Sequence, residues 1–138
     1  MVLKNIKKDA SIFTFGGLVY CLLEIIWRRY THWTMAITGG LCFLVLFKIY
    51  TKFKNMALVS KCFIGSFVIT TIEFISGCIV NLWLKMNVWD YSKLPMNIMG
   101  QICLPYSFLW GLISIPINYI SKKINKRRHN IAIYKNFI

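Results

Sequence analysis

Apolar residues fall into four long runs, and short connections with charged and aromatic residues separate them. The runs cover about 11–27, 33–47, 62–84 and 98–120. A helix needs about 20 apolar residues to cross the hydrocarbon core of a bilayer, and the first two runs are the shortest for that purpose. The pattern therefore predicts an all-α integral membrane protein, a bundle of four transmembrane helices arranged as two hairpins.

Residues 121–138 follow the last run and form a basic tail. We expect a single transmembrane domain over residues 1–138. The composition agrees with a membrane protein, because 57% of the residues are hydrophobic. Soluble domains average about 45–50% apolar residues.

Basic residues predict the orientation of the bundle. Of the 17 lysines and arginines, three precede the first run, four follow the second and six lie in the tail, against four in the two opposite loops. Since cytoplasmic segments of membrane proteins are enriched in Lys and Arg, both termini are predicted to be cytoplasmic. The same segments are expected to contact anionic lipids. The net charge of +13 does not indicate nucleic-acid binding, because the basic residues punctuate apolar spans.

Five cysteines lie inside or at the edges of the apolar runs, and none shows C-x-x-C spacing. A thiol in such a place behaves as a small hydrophobic group, so neither disulfides nor a zinc site is predicted. We expect no cofactor and no metal. The first apolar run contains Glu24 and lacks a small-residue cleavage site, so it is not predicted to be a cleaved signal peptide.

Glu73 lies at the middle of the third run, about 16 Å from either end of a helix. A charge at that depth costs on the order of 2.5–3.5 kcal/mol on insertion scales, so intramembrane carboxylates are candidates for a functional site. Polar and small residues share its helical face: Ser66, Thr70, Gly77 and Asn81. This face is predicted to point into the bundle. Close helix packing explains the small residues but leaves the carboxylate unexplained.

Glu24 and Arg28 are four residues apart, so they share a helix face and can form an ion pair. One interpretation is a local pair near the membrane edge. The alternative is that Glu24 faces a cavity shared with Glu73 and binds a proton or cation. The candidates for a substrate or ion path are therefore Glu24, Glu73, Arg28 and Asn81.

The loop after the third run contains Trp89, Asp90 and Tyr91, which we predict to be structural. Both aromatic residues and Trp83 are expected to anchor the loop at the headgroup level. Asp90 is expected to pair across the outer face with an arginine or to cap the backbone that follows it. His32 is interpreted as an interface residue.

Two blocks of unusual residues resemble a known family. In the first half they are Gly16-Gly17, Tyr20, Glu24, Trp27-Arg28, Thr31-His32-Trp33, Met35 and Gly39-Gly40, and in the second Glu73, Gly77, Asn81, Val88-Trp89-Asp90-Tyr91-Ser92, Pro95, Asn97, Gly100-Gln101-Ile102-Cys103-Leu104 and Trp110. Together these residues are similar to the type-IV ABC-transporter permease family of small bacterial membrane proteins. The resemblance implies a multi-pass protein of the bacterial plasma membrane.

Three functions remain open at this stage. The first is a permease or transport component whose intramembrane carboxylates line a polar path, with a separate ATPase as a partner. Four helices enclose little volume, so a second copy or another subunit is expected to complete the path. The second is a structural or regulatory membrane protein that binds a partner and uses the glutamates as hydrogen-bond links between helices. The third, a minor possibility, is an enzyme working at the outer face with His32 and Asp90; otherwise no enzymatic activity is expected.

Overall fold

The computed structural model describes the backbone of residues 2–136 and the side chains of residues 5–131. Two of the basic side chains counted for the orientation, Lys4 and Lys135, lie outside the described residues. Four α-helices make up most of the described chain: α1 (Val2–Arg28), α2 (Trp33–Lys52), α3 (Leu58–Gly77) and α4 (Leu104–Asn136).

Three helical segments within the described residues are long and apolar enough to cross a membrane: Asn5–Arg28, Trp33–Lys52 and Leu58–Trp83. They correspond to the first three predicted spans. The first two extend beyond the predicted apolar runs, because each helix continues into the basic residues beside it. α4 has sufficient length, but serines, an asparagine and two prolines interrupt its apolar half.

The helices pack in two pairs, α1 with α2 and α3 with α4, and α2 also contacts both α3 and α4. Glycines allow the close approach within each pair. A Cβ atom on Gly17 would lie 2.5 Å from the carbonyl oxygen of Ala36, and one on Gly65 would collide with Ser114 of α4. Small residues at such contacts are typical of membrane helices, whose association depends on van der Waals packing.

α3 continues into a π-helical segment, Cys78–Trp83, in which the Leu84 N–H donates to the Ile79 carbonyl over 2.9 Å. The chain then crosses to α4 through a loop that contains a two-stranded antiparallel hairpin. Its strands are β1 (Asn97–Ile98) and β2 (Ile102–Cys103).

The fourth predicted span began too early. It was placed from about Ile98, but α4 begins at Leu104, after the hairpin. Two residues at the hairpin turn, Met99 and Gly100, have φ angles of 53° and 69°. Such left-handed conformations are incompatible with a continuing α-helix. Pro105 favours a helix start here, because a proline in the first turn lacks only an N–H that would have no partner in the helix.

Candidate functional site

Glu73 is 2% exposed and lies between α3, α4 and the loop that connects them. Its Oε1 accepts a hydrogen bond from the hydroxyl of Tyr91 over 2.8 Å. Its Oε2 accepts one from the indole N–H of Trp110, also over 2.8 Å. Both donors are neutral, and no salt bridge to this carboxylate occurs among the described residues. Glu73 therefore links three parts of the chain without a cationic partner.

The polar face around Glu73 points toward α4 and the outer loop, as predicted. Ser66 donates to the carbonyl of Ser107 over 2.6 Å, and Thr70 donates to the Ser107 hydroxyl over 2.9 Å. Gly77 lies against the side chain of Gln101, since a Cβ there would approach its Oε1 to 2.6 Å. The hydroxyls of Ser66 and Thr70 are thus satisfied by α4.

Four aromatic rings form a row beside the Glu73 carboxylate. Tyr91 lies against Tyr106 with ring centroids 4.7 Å apart and planes 15° from parallel. Tyr106 lies 5.9 Å from Trp110, which lies 6.2 Å from Tyr20 of α1. Burial, and then the neighbouring Glu73, raise the pKa of Tyr91, so that its hydroxyl stays protonated and can donate.

Glu24 forms the local ion pair that the sequence spacing predicts. The Arg28 guanidinium donates to its Oε1 over 2.6 Å, and the Thr31 hydroxyl donates to its Oε2 over 2.9 Å. All three residues lie at the end of α1 or in the turn after it. Glu24 also lines a cavity, but Glu73 does not, so the cavity is not shared between the two carboxylates as the alternative expected.

A cavity of about 430 Å³ lies between α1, α2 and α4. Glu24 and Arg28 line it, together with all four rings of the aromatic row. Glu73 and Asn81 are not among its lining residues. Tyr91 and Trp110, which donate to Glu73, separate that carboxylate from the cavity. The volume of this cavity lies within the usual range for small-molecule sites, about 300–1,000 Å³.

Asn81 organises the outer loop. Its Nδ2 donates to Gln101 Oε1 over 2.9 Å, and its Oδ1 accepts from the backbone N–H of Val88 over 2.8 Å. Trp89 is buried and donates its indole N–H to the carbonyl of Gln101 over 3.0 Å. Trp89 and Tyr91 thus do not sit as headgroup anchors; both turn inward, because each has a buried acceptor there.

Asp90 caps the backbone that follows it, which is the second of the two predicted arrangements. The Ser92 N–H donates to its Oδ1 over 2.8 Å and the Ser92 hydroxyl to its Oδ2 over 2.9 Å. These two bonds favour the ionised form and hold the pKa of Asp90 below its usual value. His32 is the N-cap of α2, where its Nδ1 lies 2.9 Å from the Thr34 hydroxyl.

Lys61 is a third buried charge, which was not predicted from the sequence. It was assigned to a cytoplasmic connection, but it lies in the first turn of α3 and is 1% exposed. Its ammonium group donates to the Lys54 carbonyl and to Asn118 Oδ1, both over 3.1 Å. A signal existed in the sequence, since Asn118 is an isolated amide within the apolar half of the last helix.

The family model described as "Putative ABC-transporter type IV" matches residues 11–137. The chain belongs to this family. The match begins within α1 and includes the whole of the other three helices and the loop that contains Asp90 and Gln101. No curated protein and no solved structure matches it.

Family membership and the apolar helices together indicate a membrane protein that is a component of a transport system. The family match confirms the resemblance that the sequence motifs indicated. The five cysteines all lie in the described part of the chain and are free thiols. The contacts observed at the site are hydrogen bonds, an ion pair and aromatic contacts.

Proposed function

We propose that this protein is a transport component of the bacterial plasma membrane and that the cavity between α1, α2 and α4 forms part of its substrate path. The cavity itself is the observation that carries this proposal. It has the volume of a ligand site, and it places one intramembrane carboxylate, Glu24, in its lining. A second carboxylate, Glu73, lies one hydrogen bond behind the lining residues Tyr91 and Trp110.

The proposal includes α4 as a fourth membrane span, with both termini in the cytoplasm. The basic residues support this arrangement, because thirteen of the 17 lie in the three segments that it assigns to the cytoplasm. In a background whose five native cysteines are replaced by alanine, an impermeant maleimide applied to intact cells should label Lys93→Cys, and should label Lys54→Cys and Lys126→Cys only after lysis. External labelling of Lys126→Cys would contradict the four-span arrangement.

In this proposal the ionisation of Glu73 governs the path. Tyr91 belongs to the outer loop and Trp110 to α4, so the carboxylate joins the loop to the helix that lines the cavity. Loss or gain of a proton would change how strongly both donors are held. The charge of Glu73 is therefore proposed to couple loop position to the shape of the cavity.

A structural or regulatory role is the second candidate, and one observation favours it. Both oxygens of Glu73 already accept well-formed hydrogen bonds from neutral donors, as expected for a link between helices. An enzymatic role at the outer face has less support, because His32 and Asp90 each cap their own backbone segment.

Glu73→Gln separates the two candidates. A glutamine can accept from Trp110 through its oxygen and donate to the Tyr91 hydroxyl, so it keeps the links but cannot ionise. In a tagged protein isolated from native membranes we expect an ATPase subunit to copurify with the wild type and with Glu73→Gln alike. The ATP turnover of the complex should fall sharply in the variant.

Two results would favour the structural candidate. One is a wild-type preparation that contains no ATPase subunit. The other is a Glu73→Gln complex with full ATP turnover. Besides the ATPase, the proposed partners are a second copy of the chain and anionic lipids at the basic cytoplasmic segments.

A further inference from the structure

The cavity between α1, α2 and α4 changes in chemical character along its length. At one end lie Glu24 and Arg28, at the last turn of α1. Toward the other end the lining consists of aliphatic residues of α4, among them Ile113, Ile117 and Ile120. One end is charged and the other is suited only to hydrocarbon, as expected of a site for an amphipathic molecule.

At the charged end of the cavity, one N–H group of Arg28 has no hydrogen-bond acceptor among the described residues. Its terminal nitrogen donates to Glu24, but its Nε–H is buried and has no acceptor among the described residues. An unsatisfied buried donor is unfavourable, and more so when the group is charged. An anionic group of a bound molecule would supply the missing acceptor.

The length of the cavity agrees with an acyl chain. Its lining on α4 extends from Tyr106 to Ile120, which corresponds to roughly 21 Å along a helix. The hydrocarbon core of a bilayer is about 30 Å thick, so the acyl chains of one leaflet span about 15 Å. One chain fits within the cavity together with part of its headgroup.

The cavity is also accessible from the side. Three of its lining residues on α1, Leu23, Ile26 and Trp27, are 46%, 74% and 72% exposed. In a spanning helix such exposed apolar residues face lipid, so a molecule can pass from the bilayer to the cavity beside α1.

We propose that the cavity binds a phospholipid, with one acyl chain along α4 and the phosphate accepting from the Arg28 Nε–H. This deepens the proposed function by naming the class of substrate, and it rests on that function only for the claim that the lipid is transported. Binding itself requires only the cavity and Arg28.

A lipophilic cation is the main competing occupant, and the hydrogen bonds disfavour it. Glu24 already accepts from Arg28 and Thr31, and Glu73 already accepts from Tyr91 and Trp110. Both carboxylates therefore have partners, whereas the Arg28 Nε–H has none among the described residues. The unmet requirement at this site is for an acceptor.

Two probes with the same chain test the proposal: hexadecylphosphocholine and hexadecyltrimethylammonium. They share the alkyl chain and a trimethylammonium group, and the first probe adds a phosphate diester and a two-carbon linker between them. Binding to the full-length protein in a nonionic detergent is measured by native mass spectrometry. The phosphate-bearing probe should bind about tenfold more tightly, the effect of one charge-assisted hydrogen bond.

Arg28→Gln should remove that preference, and Arg29→Gln, at the exposed neighbouring residue, should retain it. An ammonium probe that binds the wild type as tightly as the phosphocholine probe would overturn the proposal in favour of a cation site. A preference that survives Arg28→Gln would also overturn it.

A second pair of variants tests whether the alkyl chain of the probe lies in the cavity. Ile113→Trp fills the cavity and should weaken both probes about tenfold or more, whereas Leu112→Trp changes an exposed neighbour outside the lining and should not. If Ile113→Trp fails to fold, Leu23→Trp with Leu22→Trp as its control gives the same comparison on α1. Unchanged binding to the filled variant would show that the probes cover the outer surface only, which refutes the proposal.

A second copy of the chain is the remaining alternative occupant. It would appear as a dimer that Ile113→Trp abolishes while probe binding persists, and that result would overturn the proposal. The outcome is independent of the ATPase experiment. Probe binding without a copurifying ATPase would support the lipid site and contradict the transport function. A copurifying ATPase without probe binding would support the transport function and contradict the lipid site.

Discussion

Glu24 and Glu73 are both carboxylates on apolar helices, but their surroundings differ in kind. Glu24 has a cation four residues along the same helix and a hydroxyl in the next turn. Glu73 has two neutral donors, 18 and 37 residues away in sequence. The first charge is neutralised within its own helix, and the second is held only by the tertiary structure.

The difference shows how position determines the partner that a buried carboxylate can use. Near the end of a span, a long arginine side chain can reach both the carboxylate and the membrane surface. At the middle of a span, an arginine would itself carry a large insertion cost. Tyrosine and tryptophan provide donors at that depth without a second charge, and their rings pack with the apolar surroundings.

Glu73→Leu should have the largest effect, because it deprives two donors of their shared partner. An unsatisfied buried donor costs about 1–3 kcal/mol, so the loss of stability should be about 2–5 kcal/mol. Thermal unfolding in detergent micelles measures it, with the exposed Ile75→Ala as the matched control on the same helix. A Glu73→Leu protein as stable as the wild type would show that the carboxylate does not link the helices.

Tyr91→Phe removes only a hydroxyl and should cost about 1–2 kcal/mol in an otherwise wild-type protein. In the Glu73→Leu background the same change should cost almost nothing, since the acceptor is already missing. A double-mutant cycle on the two residues measures this coupling. Equal costs in the two backgrounds would mean that the loop and the carboxylate act independently.

Arg28→Gln should have a smaller effect, at about 0.5–1 kcal/mol, because the pair is partly exposed at the end of α1. The loss should diminish in high salt, which screens the ion pair of the wild type. Unfolding at low and high salt checks this, with Arg29→Gln as the control. A cost as large as that of Glu73→Leu would remove the distinction between the two glutamates.

Asp90→Asn should have the smallest effect on stability, because this carboxylate is exposed. Because its folded pKa is lowered, it stabilises the loop above its unfolded pKa, and this contribution is lost as the pH falls below about 4 through the folded value. Tryptophan fluorescence of the loop should therefore change in acid in the wild type and less in Asp90→Asn. An identical acid response in both proteins would exclude a role for this cap.

Sequence reasoning identified the features that lie within single helices. The apolar runs predicted the helices, the four-residue spacing predicted the pair of Glu24 and Arg28, and the polar face of Glu73 was predicted to point into the bundle. The donors Tyr91 and Trp110 could not be predicted, because helical spacing does not say which side chains of separate elements meet. For the same reason Tyr91 was expected at the membrane surface.

The burial of Lys61 and the late start of α4 were missed on different physical grounds. A lysine beside a basic connection resembles an exposed residue unless its distant acceptor, Asn118, is known. The hairpin before α4 depends on backbone conformations at Met99 and Gly100, and hydropathy does not report backbone conformation.

The π-helical turn at Cys78–Trp83 has a consequence for changes in chain length. A π-turn holds one residue more than an α-turn needs, so deletion of one residue there can be absorbed by a return to regular α-helix. The same deletion within Leu58–Gly77 would rotate one side of α3 against the other by about 100° and separate Glu73 from part of its polar face. This single turn is thus the place where α3 can shorten without losing its register against α4.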